Sequence, residues 1–364
     1  MFIVVGMFND FLKNAVNAIS ERHSFNEKLA SSIFHLKGKL SPNGFESIVL
    51  SVAKSKVSSS VAGVDSGFVS KKLSFLDLIL VKTAGVIFEY KDGALAKTTY
   101  YPAPFSFPVP KILREGLEKD ESDQSVSLVR LREEINCAIE IIKKYKPNFL
   151  FIDGSLVPQY QDKPRKESEL NEDYHSIISL FECLYKTADE NNSILVSCVE
   201  DSRGNRFRQI LQESILPLYT KISPSVLNSA YDVALLDYYL RPNERTFAFP
   251  YTNAIENHPI LKDYSKEWAN CVFVFYIKSA EFDKPLRVEF ISKDISKLKN
   301  LSSSIASVVF SLSSLHKEYS FPSILIEADL RAGLSEQEIS VVYERLIDKL
   351  GNKIRLRRSN RPFG

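Results

Sequence analysis

The sequence predicts a mixed α/β fold, a central sheet flanked by helices, with a helical extension in front and further β/α elements behind. Three observations predict it. Two short apolar runs, residues 61–68 and 149–155, read as buried strands that end on an aspartate, Asp65-Ser66-Gly67 in one and Asp153-Gly154-Ser155 in the other. Between them lie a hairpin signal and a long amphipathic helix. Beyond them, strand-like and helix-like segments alternate as far as residue 350.

At the start, Phe8, Phe11, Leu12, Val16 and Ile19 form one helical stripe and Leu29, Ile33 and Phe34 suggest a second. The run Phe2-Ile3-Val4-Val5 has two readings, an exposed interface patch or an edge strand of the domain's own sheet. Residues 79–90 and 94–101 are strands joined by the tight-turn pair Asp92-Gly93. Over residues 124–145, Val126, Leu128, Leu131, Ile135, Ala138, Ile139 and Ile142 repeat near a 3.6 period, and Pro147 stops the helix. A helix over 174–188 leads into a strand over 193–199 and then an arginine-bearing segment, 203–208. Residues 231–240 read as helix, 245–250 as extended, 271–277 as pairing with 286–291, and 295–313 and 335–350 as helices. The expected limits are an extension over 1–58, a core domain over 59–350, and a basic tail over 351–364 with Arg355, Arg357, Arg358 and Arg361.

Composition narrows the partners. The formal net charge of 364 residues is +2, so contact with a polyanion must use local basic patches such as Lys71-Lys72, Lys143-Lys144 with Lys146, or the tail. Cys137, Cys183, Cys198 and Cys271 contain no Cys-x-x-Cys pair, and the five histidines are dispersed, so neither a zinc site nor a disulfide framework is indicated. No glycine-rich phosphate loop of the two common kinds is present. With no long apolar run and no signal-peptide pattern, the chain reads as soluble and cytoplasmic, without a membrane partner.

Aspartates at the ends of buried strands are held rigidly by their neighbours, and a following glycine lets a ligand approach the backbone. Glu134 lies on the helix that feeds the second strand and closer to the Leu131, Ile135, Ala138 stripe than Glu133, so Glu134 is expected to point inward with Asp65 and Asp153. Three or four converging carboxylates suit two hard divalent ions, Mn²⁺ or Mg²⁺. Each aspartate alone is also an ordinary strand-end turn residue, and Arg203, Arg206 and Arg208 are either phosphate contacts or an exposed helix face.

Residues 61–68, the helix around Glu134, residues 149–155 and the string Phe321-Pro322-Ser323-Ile324-Leu325-Ile326-Glu327-Ala328-Asp329 together resemble the archaeal NurA nucleases. Asp232-Val233-Ala234-Leu235-Leu236 and Glu244-Arg245-Thr246 extend the resemblance, which runs over residues 61–346. It implies a ribonuclease-H-like core, a homodimer and two Mn²⁺ or Mg²⁺ ions. The implied activity is 5′ to 3′ exonuclease action on single- and double-stranded DNA, with single-strand endonuclease action. Its implied setting is end resection and double-strand-break repair beside a hexameric HerA-type ATPase. Asp65, Glu134 and Asp153 match the family's metal-binding acids and Asp329 a fourth position, though Asp329 also reads as a solvated acid on a helix with Leu330 and Ala332. Arg203, Arg206 and Phe321 become DNA-contact candidates. Two positions depart from the family: Glu200-Asp201 stand where a lysine is expected, with Arg203 the nearest base, and Phe321 stands where tyrosine is frequent. Two competing readings are a catalytically weakened scaffold of the same complex and an ATP-dependent phosphotransferase of the actin and sugar-kinase type.

Overall fold

The computed structural model describes residues 2–73, 77–113, 117, 119–228 and 230–351, without the side chains of residues 1–10 and 119. The tail arginines Arg355, Arg357, Arg358 and Arg361 lie outside the described residues. Nine α-helices are described: α1 (Phe2–Ile33), α2 (Lys119–Tyr145), α3 (Asn171–Glu190), α4 (Arg206–Ile210), α5 (Leu216–Tyr219), α6 (Asp232–Tyr239), α7 (Leu298–Ser313), α8 (Ser323–Ala332) and α9 (Glu336–Leu350). A single turn of π-helix, Leu211–Ile215, separates α4 from α5.

The strands are β1 (Val49–Ser51), β2 (Ser60–Lys72), β3 (Asp77–Lys91), β4 (Ala94–Tyr101), β5 (Val109–Ile112), β6 (Phe149–Asp153), β7 (Ile194–Val199), β8 (Glu244–Thr246), β9 (Phe249–Pro250), β10 (Val272–Lys278) and β11 (Leu286–Ile291). They form one sheet in the order β1-β8-β10-β11-β7-β6-β2-β3-β4, with β5 on the edge of β3 and β9 on β10. Its centre, β4-β3-β2-β6-β7, joins an antiparallel three-stranded meander to two strands parallel to β2. This is the ribonuclease-H-like arrangement. The remaining strands extend it antiparallel beyond β7.

Strand alternation divides the core. Ala62, Val64, Leu150 and Ile152 face the apolar stripes of α2 and α3, while Val61, Phe149, Phe151 and Val196 face α7 and α8. On the extended half, Val274 and Tyr276 turn to a third cluster built from the end of α1, α4 to α6 and the π-turn.

The N-terminal segment differs from expectation. A single helix carries the first stripe and, as far as Ile33, the second, and residues 2–5 lie at its start rather than in an edge strand. Among the described side chains of α1, those near its end pack inward, with Leu29, Ala30 and Ile33 buried, whereas Phe11, Leu12, Val16 and Ile19 are exposed. β1 and β5 were not anticipated, because three or four residues carry too little periodicity to register as strands.

Close approach of α8 to β2 depends on two strand glycines. A Cβ on Gly63 would lie 2.8 Å from the Ile324 carbonyl oxygen, and one on Gly67 would lie 2.4 Å from that of Ala332. Gly67→Ala is therefore expected to push α8 off the strand and cost about 2 kcal/mol of stability in urea denaturation. Gly38→Ala, where an added Cβ meets nothing within 4 Å, should change stability by less than about 0.5 kcal/mol. Equal effects at the two positions would show that the contact does not constrain α8.

Candidate active site

Parallel pairing sets Val64 opposite Ile152, so Asp65 and Asp153 follow side by side. Asp153 ends β6 as expected, whereas Asp65 lies midway along β2, which pairs with β3 as far as Lys72 instead of ending at the aspartate. Asp65 shares its side of β2 with Gly63 and Gly67, the two positions over which α8 lies. The helix thereby brings the Asp329 carboxyl within hydrogen-bond reach of Asp65. Glu134 arrives from α2 on the other face, only 2% exposed, and accepts hydrogen bonds from the Ser66 hydroxyl and, at 3.1 Å, from Arg130 Nη1. The Ser66 N–H donates to Asp65 at 2.7 Å. Glu133 turns outward and pairs with Lys111 at 2.9 Å. All four acids expected from the sequence are thus neighbours, and the helix face was read correctly.

A fifth carboxylate joins them. Glu200 directly follows β7, beside Asp153, and accepts a hydrogen bond from the Tyr319 hydroxyl at 3.0 Å. Burial, with repulsion from Asp65 and Asp153, pushes Glu134 up to about 7 despite the opposing pull of Arg130 and Ser66. Burial also raises Asp153 to about 7, helped by the charges of Asp65, Glu200 and Asp329. Asp65 is raised by burial and by Asp329, against the Ser66 N–H. Such a set is short of positive charge, and its oxygen donors fit a hard divalent ion. Among the described residues, no three acids are yet gathered closely enough to cage one, and Glu134 is turned onto Arg130 and Ser66.

Beside the acids runs a groove of about 890 Å³, lined among others by Gln159, Arg203, Arg206, Asn253, Asn257 and His258. It shares Ser155, Pro158, Gln159 and Gln161 with a smaller cavity of about 90 Å³ that reaches Glu134 and Asp153. The dividing loop is tied down from below. Glu289 accepts from the Ser155 hydroxyl at 2.8 Å and the Leu156 N–H at 2.9 Å, and is itself paired with buried Arg287 at 2.7 Å.

The NurA domain model matches residues 59–333. The chain belongs to the NurA family. Among solved structures, it is similar to the NurA nuclease from Sulfolobus solfataricus, with 14% identity over 94% of this chain and 96% of that one and a TM-score of 0.61. A NurA structure with manganese aligns at 12% identity over 93% and 99% of the two chains, TM-score 0.47. Another, bound to dAMP and manganese, aligns at 12% over 95% and 96%, TM-score 0.48. No curated protein sequence matches the chain.

Several residues that carry the NurA resemblance are supports rather than site residues. Asp232 is fully buried and accepts from the N–H groups of Phe207 and Arg208 at 2.9 and 2.8 Å, fixing the start of α4. Arg245 is buried on Glu46 at 2.8 Å. Of the expected DNA contacts, Arg203 is exposed in the groove and Arg206 half-buried there, paired with Glu213 at 3.6 Å. Arg208 instead braces the carbonyls of Asn228 and Ala230. Phe321 is a correction: it is 6% exposed and packed in the α7–α8 core, so its ring offers no face to a ligand. Tyr319, two residues earlier, is the aromatic that reaches the acids. Sequence reasoning missed it because its partner Glu200 lies far away along the chain, and missed Arg130 although it stands one helical turn before Glu134.

The raised carboxyls make a stability prediction. Glu134 and Asp153 keep their protons to about pH 7 when folded, whereas the unfolded chain releases them near about pH 4. Their contribution to stability is therefore fully present below about pH 4 and is lost as pH rises through 7. In chelator at pH 8, Asp153→Asn should raise the melting temperature by about 2 to 5 °C, and the gain should vanish near pH 4. A lower melting temperature at pH 8 would show that the carboxylates are not crowded.

Proposed function

We propose that this NurA-family chain is a divalent-metal-dependent DNA nuclease. The observation that carries the reading is the gathering of Asp65, Glu134, Asp153 and Asp329 around the end of β6, beside a groove bearing Arg203 and Arg206. The finer activity follows the family resemblance. It comprises 5′ to 3′ exonuclease action on single- and double-stranded DNA with single-strand endonuclease action, in cytoplasmic end resection and double-strand-break repair. A homodimer and a HerA-type ATPase partner belong to the same reading, supported by the exposed apolar stripe Phe11, Leu12, Val16 and Ile19 on α1. Family membership removes the ground for the phosphotransferase reading.

Asp65, Glu134, Asp153 and Asp329 would hold two Mn²⁺ or Mg²⁺ ions, which when bound activate water and stabilise the leaving oxygen of a phosphodiester. The residues of the chain do the rest. Arg203, exposed in the groove, supplies charge to phosphates, and Arg206 lines the wall beside it. On the opposite side of the acids, residues 102–108 bridge from Tyr101, which pairs with Gly85, to Val109, which pairs with Val81. That segment runs level with Asp65 to Gly67. It carries Phe105 and Phe107, 85% and 93% exposed, faces on which unpaired bases can stack. The strand path therefore crosses the acids between the groove that bears Arg203 and an aromatic edge.

A second reading has one observation in its favour. Glu200 adds a negative charge where a lysine was expected, which is the departure a weakened scaffold would carry.

End-labelled DNA with Mn²⁺, with and without ATP, tests the proposal. The chain should degrade DNA without ATP, fall silent in EDTA, recover with Mn²⁺ or Mg²⁺ but not Zn²⁺, and lose at least about 100-fold in Asp65→Ala. No degradation by the parent would favour the scaffold, and full activity in EDTA would remove the metal-centre reading.

Glu134→Gln and Glu133→Gln separate ligand from surface charge. The first should keep DNA affinity in Ca²⁺ within several-fold, because binding rests on basic contacts to phosphate, and lose most cleavage. The second should do neither, since Glu133 only pairs with Lys111. Loss of cleavage in Glu133→Gln alone would move the ligand by one residue.

A further inference from the structure

We propose that Arg130 is a resident counter-cation of the acidic centre, one that competes with a divalent ion for Glu134 and so sets how tightly the centre takes metal. This rests on the metal-centre reading above. Arg130 Nη1 donates to Glu134 Oε2 at 3.1 Å and lies 3.5 Å from the Ser66 hydroxyl, which donates to the same carboxylate oxygen. Its charge also acts on Asp65. Among the described residues, it is the only basic side chain in ion-pair contact with any of Asp65, Glu134, Asp153, Asp329 and Glu200.

An exposed ion pair one helical turn apart is worth about 0.3 to 0.5 kcal/mol and needs no function. This pair is different in its acid. Glu134 is 2% exposed and surrounded by carboxylates, so the guanidinium is the main charge that makes its ionised form tolerable. Arginine stays protonated at every relevant pH, so it cannot withdraw by losing its proton. It can withdraw by moving: the side chain is 31% exposed and lines the small cavity with Glu134 and Asp153. An ion on Glu134 and the guanidinium repel each other and cannot both hold Oε2. Arg130 therefore supports the centre until metal arrives and opposes metal while it stays.

This double role has opposite signs in two measurements, and a purely structural role does not. Arg130→Gln removes the charge, and Arg130→Lys keeps it. Melting in EDTA at pH 7.5 and calorimetric titration with Mn²⁺ in the absence of DNA read the two effects. Arg130→Gln should melt several degrees lower in EDTA and yet bind Mn²⁺ about 10-fold more tightly, the factor that corresponds to a displacement cost of about 1.4 kcal/mol. Arg130→Lys should lie near the parent in both. Unchanged or weaker Mn²⁺ binding by Arg130→Gln overturns the proposal and leaves an ordinary helix pair. Unchanged Mn²⁺ binding with a loss of DNA affinity in Ca²⁺ overturns it in favour of a phosphate contact. A parent chain that binds no Mn²⁺ contradicts the metal-centre reading and this proposal together, whereas a parent that binds and a variant that does not differ contradicts this proposal alone.

Discussion

Buried carboxylates set side by side repel one another, and the fold around β2 and β6 is organised to hold them there nonetheless. Parallel pairing of those strands fixes Asp65 beside Asp153, and no side-chain adjustment can separate strands that share backbone hydrogen bonds. Glycines at 63 and 67 then admit α8 close enough to add Asp329, and α2 adds Glu134 from the opposite face. Each addition raises the charge density of the same corner. The observed compensation is local: the Ser66 N–H on Asp65, the Ser66 hydroxyl and Arg130 on Glu134, and Tyr319 on Glu200.

The extended half of the sheet serves this corner without contributing an acid to it. β11 supplies the Arg287–Glu289 pair, which anchors the loop after Asp153 through Ser155 and Leu156. Asp232 gathers Phe207 N, Arg208 N and the Tyr276 hydroxyl, so that the arginine-bearing α4 is tied to β10. The groove beside the acids thus has a rigid floor and wall. Buried polar groups that are fully hydrogen-bonded specify one arrangement of such a surface.

Much of this was legible in the sequence because the decisive elements are periodic. The α2 stripe from Val126 to Ile142 and the apolar strands before Asp65 and Asp153 name their own buried faces, and the inward turn of Glu134 follows from that stripe. What was not legible depends on contacts far apart in the chain. Tyr319 meets Glu200 across more than a hundred residues, and nothing in its neighbourhood in sequence marks it. Phe321 was misread because an aromatic residue before a candidate ligand looks the same whether its ring faces solvent or core. In α1 the apolar stripe was legible but its partner was not: Phe11, Val16 and Ile19 repeat at helical spacing, yet this chain does not cover them.

The reading proposed above is one divalent-metal centre built from Asp65 of β2, Asp153 at the end of β6, Glu134 of α2 and Asp329 of α8. Anomalous diffraction from crystals soaked in Mn²⁺ tests it most directly, because it locates the ion without relying on turnover. Mn²⁺ density is expected between the carboxylates of Asp65 and Asp153, with Glu134 drawn from Ser66 and Arg130 towards it. Density confined to other surface acids, or none at saturating Mn²⁺, would contradict it.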